Sequence, residues 1–267
     1  MTQGLLLLLM LLEQRGPQSE VWPLPLRWAC IPSGGTPTVL DARLSITLQG
    51  TGASSDVARA AAARYLPLLR AAGRPPNSTV DRVDISVSST AAQALSRLTN
   101  YSYTMSRQLN GTTIVATAAS PFGVAYALES LLQLTRDEAQ RRCRSFSLID
   151  APRFAHRGLL LDTGRRFHPL PMLESLLESM AIVRLNVLHL YLSEECFRIE
   201  SKLFPALTSS NCTVEPNFHY GDPGFYTHAD VRRLVNFARL RGIRIVPEVC
   251  SRVPSTIATT VTTCCSV

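Results

Sequence analysis

The chain has 267 residues, room for one large domain or two modest ones. With 46% hydrophobic and 18% charged residues, a disordered, collagen-like or multi-span membrane protein is excluded. The net charge of +7 rests on 27 basic residues, all Arg except Lys202. They are scattered, densest at Arg141, Arg142 and Arg144, so no nucleic-acid partner is expected.

Residues 5–12 form an uninterrupted apolar run followed by Glu13-Gln14-Arg15. It is far shorter than the roughly 20 residues a membrane span needs, but it has the length of a signal-peptide core, although no basic residue precedes it. Residues 1–20 are therefore expected to be a signal peptide. Four Asn-x-Ser/Thr sequons, at Asn77, Asn100, Asn110 and Asn211, fit the same compartment, because glycans are added there. The seven cysteines include no CxxC pair and no His at zinc-ligand spacing, so no metal and no cofactor is expected. Cys196 and Cys212 could close a short loop. Connectivity stays open, and the odd count leaves at least one thiol without an internal partner.

Over 38–150 the hydrophobic period switches between two and 3.6, predicting strands packed with helices. Residues 38–48 alternate as a strand. Ser55 caps a helix towards Ala72, which Pro67 is expected to kink or end early. Val83, Ile85 and Val87 mark the next strand. Residues 101–107 and 112–117 flank Asn110-Gly111 as a hairpin. Ser120-Pro121 opens a helix with Val124, Leu128, Leu131 and Leu132 on one face, ending near Arg136. A strand at 145–149 leads to Asp150-Ala151-Pro152, the expected domain boundary. The first domain, 21–150, is thus a small α+β unit with mainly antiparallel pairing.

Beyond Pro152 strands and helices alternate, predicting parallel βαβ units. Leu159-Leu160-Leu161 reads as a strand buried on both faces. A helix over 171–182 carries Leu173, Leu176, Leu177 and Met180, and a strand follows at 186–192. After a long connection a helix carries Val231, Leu234, Val235 and Ala238, with Gly242 just past its end. Residues 243–248 form the third strand. The Ser, Thr, Val and Cys of 250–267 show neither capping nor amphipathic pattern.

Several collinear segments resemble the eukaryotic β-N-acetylhexosaminidases, the family 20 glycoside hydrolases. They are Trp22-Pro23-Leu24-Pro25, Ser120-Pro121-Phe122-Gly123, the stretch from Phe154 through His156 and Arg157 to Asp162-Thr163-Gly164-Arg165, Asn186-Val187-Leu188-His189, Phe197-Arg198-Ile199-Glu200 with Ser201 to Pro205, and Ala238 to Arg244. The resemblance implies an α/β protein: a small zincin-like α+β domain followed by about three of the eight units of a (β/α)8 TIM barrel over 151–249. It also implies exo-hydrolysis of terminal N-acetyl-β-D-hexosamines, in which the substrate's own acetamido oxygen attacks the anomeric carbon.

Carried over by motif, Arg165 would grip sugar hydroxyls with its fixed set of donors. Glu194 stands where the family has Asp, in His189-Leu190-Tyr191-Leu192-Ser193-Glu194, with Tyr191 in place of a second histidine. Asp162 and Glu248 would support the site, and His156 and Arg157, at the other end of their strand, would be structural. The family's catalytic Asp-Glu pair is not found after Glu248-Val249, where the chain reads Cys250-Ser251-Arg252-Val253. The expectation is a chain truncated after the third strand, with a tail over 250–267 out of register with the parent frame, an exposed sheet edge and no activity of its own. The alternative is a non-catalytic glycan-binding or subunit-partner protein. The partner implied is a glycan, with a homo- or heterodimer in the full-length family. The location implied is the secretory pathway, lysosomal or extracellular.

Overall fold

The computed structural model describes residues 21–31, 35–73, 79–89, 94–136, 143–193, 197–208, 224–250 and 264–266. The chain divides into two units, one of Met1–Gln93 with Leu98–Arg153 and one of Ala94–Arg97 with Phe154–Val267. The candidate leader at 1–20 lies outside the described residues. Among those described, no helix is long and apolar enough to cross a membrane.

The described residues of the first unit form a six-stranded sheet bearing two helices. Its strands are β1 (Arg27–Ile31), β2 (Leu40–Gln49), β3 (Val80–Val87), β4 (Tyr103–Arg107), β5 (Thr113–Ala118) and β6 (Ser145–Asp150), and its helices are α1 (Asp56–Ala72) and α2 (Pro121–Arg136). The order is β1-β6-β4-β5-β3-β2. Pairing is antiparallel from β1 through β5 and parallel for β5-β3 and β3-β2. The sheet is therefore mixed, because α1 and α2 are crossovers whereas Asn110-Gly111 makes a tight turn. Asn110 has φ 60, the left-handed conformation that such a turn requires. Alternate strand residues such as Val83, Ile85, Ile114, Ala116 and Leu148 are buried with Val57, Leu69, Val124 and Leu128 of the helices.

Ser55 caps α1, its side chain accepting from the Val57 N–H at 3.2 Å. Pro67 does not end the helix, which runs on to Ala72. The ring lies on the exposed side, and burial of Tyr65 and Leu69 on the other side holds the last turns in place. A disulfide joins Cys30 of β1 to Cys143. Cys196 and Cys212, the pair considered from sequence, lie outside the described residues.

The second unit carries parallel strands β7 (Gly158–Asp162), β8 (Val187–Tyr191) and β9 (Arg244–Cys250), with helices α3 (Leu170–Ile182) and α4 (His228–Arg239). Register pairs Leu159 with Leu188 and Leu161 with Leu190, and Leu188 and Leu190 with Ile245 and Pro247. That face packs on Leu173, Leu177, Met180, Leu234 and Ala238 of the helices. Arg233 forks onto Glu174 at 2.8 and 2.9 Å, clamping α4 to α3, and Arg241, just past the end of α4, pairs with Glu178. Gly242, at φ 73, turns the chain out of α4.

Two expectations are corrected here. Leu159 and Leu160 are 38% and 55% exposed, not buried on both faces, because β7 is an outer strand and the helices cover one face only. The edge of the sheet at β9, expected to be bare, is paired over three residues: Cys264–Ser266 form β10, antiparallel to β9. Residues 251–263 lie outside the described residues.

Candidate functional site

Parallel register brings the ends of β7, β8 and β9 level, so the face away from the helices presents rows of side chains. Asp162, Tyr191 and Glu248 form the last row, and Leu160, His189 and Val246 the row before it. Three of the four residues singled out from sequence, Asp162, Arg165 and Glu248, thus fall at one end of one sheet. Glu194 lies outside the described residues.

The turn after β7 is fastened rather than loose. Thr163 and Gly164 donate their N–H groups to the Tyr191 carbonyl at 2.9 and 3.1 Å, and the Thr163 hydroxyl adds a third bond at 2.7 Å. Asp162 accepts from the Arg165 N–H at 2.9 Å, and its other oxygen lies 3.5 Å from Arg165 Nε. The Arg165 side chain is nevertheless 72% exposed. Asp162 sets the direction of this guanidinium, a planar group suited to meeting paired oxygens.

Glu248 meets a residue that sequence reasoning left as part of a motif. His189 Nε2 lies 2.6 Å from Glu248 Oε2, both side chains partly buried. The signal was present: a His two positions before the end of one parallel strand and a Glu near the end of the next share a face.

Arg198 was missed as well. It is 5% exposed, and its guanidinium donates to the carbonyls of Thr163 at 2.9 Å, Gly164 at 3.2 Å and Gly224 at 2.9 Å. It spans the loops after β7 and β8, so a buried cation fixes the backbone on which Arg165 stands. The N-terminus of α4 is tied to the same region, with Glu200 accepting from the His228 N–H at 2.9 Å and Thr227 and Asp230 forming a capping box. The His168 imidazole, in the same loop as Arg165, is held below its ordinary pKa by burial, with Arg166 adding to the shift and Asp162 opposing it.

At the amino end of β7, Arg157 Nε donates to the Arg184 carbonyl at 2.7 Å, away from the site. Asn100 and Asn110 are exposed. Their side-chain oxygens accept from Ser102 N–H at 2.9 Å and Thr36 N–H at 3.1 Å. Asn77 and Asn211 lie outside the described residues. Among the described residues no group of three His, Cys, Asp or Glu could hold a metal ion.

A family model described as glycosyl hydrolase family 20, catalytic domain, matches residues 154–261. The chain is 35% identical over 143 residues to a beta-hexosaminidase of Vibrio furnissii, covering 49% of this chain and 23% of that protein. It is 35% identical over 130 residues to the human beta-hexosaminidase subunit beta, covering 48% of this chain and 22% of the relative. The solved exo-β-N-acetylglucosaminidase of Vibrio harveyi, in complex with N-acetylglucosamine, superposes with a TM-score of 0.62 at 26% identity, over 87% of this chain and 36% of that one. The chain therefore spans less than half the length of these relatives.

Proposed function

This chain belongs to glycosyl hydrolase family 20, and we propose that the carboxyl end of its parallel sheet binds the terminal N-acetyl-β-D-hexosamine of a glycan as part of a β-N-acetylhexosaminidase site. In this reading β7, β8 and β9 with α3 and α4 are the first three units of a (β/α)8 barrel, whose sites lie at that end of the strands. The first unit is the zincin-like α+β domain. The observation that carries the proposal is the placement of Arg165, held by Asp162 at the end of the first parallel strand with a side chain that is 72% exposed.

Each residue then has a task. Arg165 donates to adjacent ring hydroxyls, a job suited to a planar fork of donors. Glu194 accepts from sugar hydroxyls with a carboxylate displaced by one methylene from that of Asp. Glu248, braced by His189, supports the floor of the site, and Arg198 keeps the loops in place. Hydrolysis is exo-acting and substrate-assisted: the acetamido oxygen attacks the anomeric carbon, and a general acid protonates the leaving oxygen. The residues that match the family's motifs include no counterpart of the Asp-Glu pair that would orient the acetamide and move that proton, and their task in this reading is to hold the sugar. The four sequons carry glycans, the protein acts in the lysosome or outside the cell, and a full-length form assembles as a dimer.

Hydrolysis of a chromogenic N-acetyl-β-glucosaminide, by the 267-residue chain beside a version extended to a whole barrel, tests the reading. Turnover is expected in the extended form alone, and Arg165→Ala there should lower kcat/KM by about 10- to 100-fold, the worth of a hydrogen bond to a charged group. Turnover by the short chain, or an Arg165→Ala variant with unchanged kcat/KM, would overturn it.

A further inference from the structure

We propose that the second unit binds one small, uncharged apolar molecule, about the size of a benzene ring, in a cavity between its sheet and α4. The cavity has a volume of about 110 Å³. Leu190 of β8, Ile245 of β9 and Val231 and Leu234 of α4 form its wall, with Leu192 and Ile199 from the segment after β8. Tyr226 and Asp230 also reach the lining. The Tyr226 hydroxyl donates to the His168 carbonyl at 2.6 Å, and Asp230 Oδ2 accepts from the N–H and the hydroxyl of Thr227 at 3.0 and 2.6 Å. What remains for a guest is almost wholly apolar surface.

A water molecule held in a cavity needs about two to four polar partners, which an apolar wall does not supply, so hydration is poor. The wall cannot close up instead, because Leu190, Leu192, Tyr226 and Leu234 are buried in the apolar cluster of the unit and packed interiors yield little. The lining atoms therefore lack dispersion partners that a guest restores. An apolar cavity of about 150 Å³ binds benzene, so about 110 Å³ admits a single ring and nothing much larger. Val235 and Pro247 complete the lining and are exposed, which gives a guest a way in from solvent. Leu190 and Ile245 belong to the sheet face that packs on α3 and α4, opposite the row of Asp162, Tyr191 and Glu248. The inference therefore does not rest on the sugar-binding reading.

Benzene itself is the probe, titrated into the isotope-labelled 267-residue chain and followed by the methyl resonances, which an aromatic ring shifts at close range. Saturable shifts are expected at Leu190, Val231, Leu234 and Ile245, with half-saturation at about 1 mM, the order that ligand efficiency sets for so small a molecule. Phenol, the same ring with a hydroxyl that would lose its water partners, should bind about 10-fold more weakly or worse. Val235→Phe should fill the opening and abolish the shifts; should that variant fail to fold, the residue-specific shifts of the parent chain decide alone. The proposal is overturned by the absence of saturable shifts at those methyls up to the solubility of benzene, or by equal binding of phenol. It is overturned as well by shifts that vanish as protein concentration rises, because a second copy then covers the opening. Neither result bears on hydrolysis, so a failure here leaves the functional reading intact.

Discussion

Arg107 shows how a single side chain can be structural although its type suggests a surface role. It is 1% exposed, and its guanidinium donates to the carbonyls of Gly111, Thr36 and Arg144 and to the hydroxyls of Thr36 and Thr38. Tyr103, Met105 and Arg107 alternate inward on β4, so the sequence places this cation on the buried face, while only the fold supplies its acceptors. Arg107→Met keeps the length and strips those partners; it should lower the unfolding free energy by about 2–4 kcal/mol, read from the denaturant midpoint at unchanged slope. His168 makes the pH prediction. Its pKa is lowered on folding, so the folded state favours the neutral ring. The stability it contributes is present above the unfolded value, about 6.5, and is lost as pH falls through the folded one. His168→Gln should melt with a smaller drop between neutral and mildly acidic pH than the parent chain, measured by calorimetry across that range.

The two departures from expectation among the elements have one cause, the distribution of burial. A proline in a helix interior costs roughly 3 kcal/mol against alanine, yet α1 passes through Pro67. Tyr65 and Leu69 on its inner face gain more by staying helical than the proline costs locally. Pro67 is exposed, so Pro67→Ala removes the penalty without opening a cavity. It should raise the unfolding free energy by about 1–3 kcal/mol, seen as a higher melting temperature. In β7 the same balance runs the other way. An all-leucine run reads as a strand buried on both sides, but its position in the sheet leaves Leu160 more than half exposed. Periodicity reports what a segment is suited to, not whether a neighbour arrives to cover it.

Across the whole molecule, the long-range cross-link is the feature that local reasoning could not place. Cys30 and Cys143 are 113 positions apart, and closing so long a loop restricts the unfolded chain strongly. Chain-entropy arguments put the effect at about 4–5 kcal/mol. The double variant C30A/C143A should therefore denature at a markedly lower denaturant concentration than the oxidised parent and match the fully reduced parent. If oxidised and reduced chains unfold together, the bridge is energetically idle. The two units also differ in what holds them: the first has a disulfide and a helix, α2, that is buried almost throughout, whereas the second relies on one apolar cluster and the clamps between α3 and α4.

By itself the sequence marked most of the helices and strands and several of their ends, since caps, turns and hydrophobic period act within a few residues: Ser55, Asn110-Gly111 and Gly242 each do locally what their chemistry requires. Its collinear motifs also placed Asp162, Arg165 and Glu248 in one family pattern. Tertiary structure alone decided the partners of those residues. The His189–Glu248 contact, the Arg198 bonds across two loops, the Cys30–Cys143 bridge and the pairing of β10 with β9 all depend on strand register and crossover. Those are settled by burial summed over the whole sheet, and no short stretch of chain contains that sum.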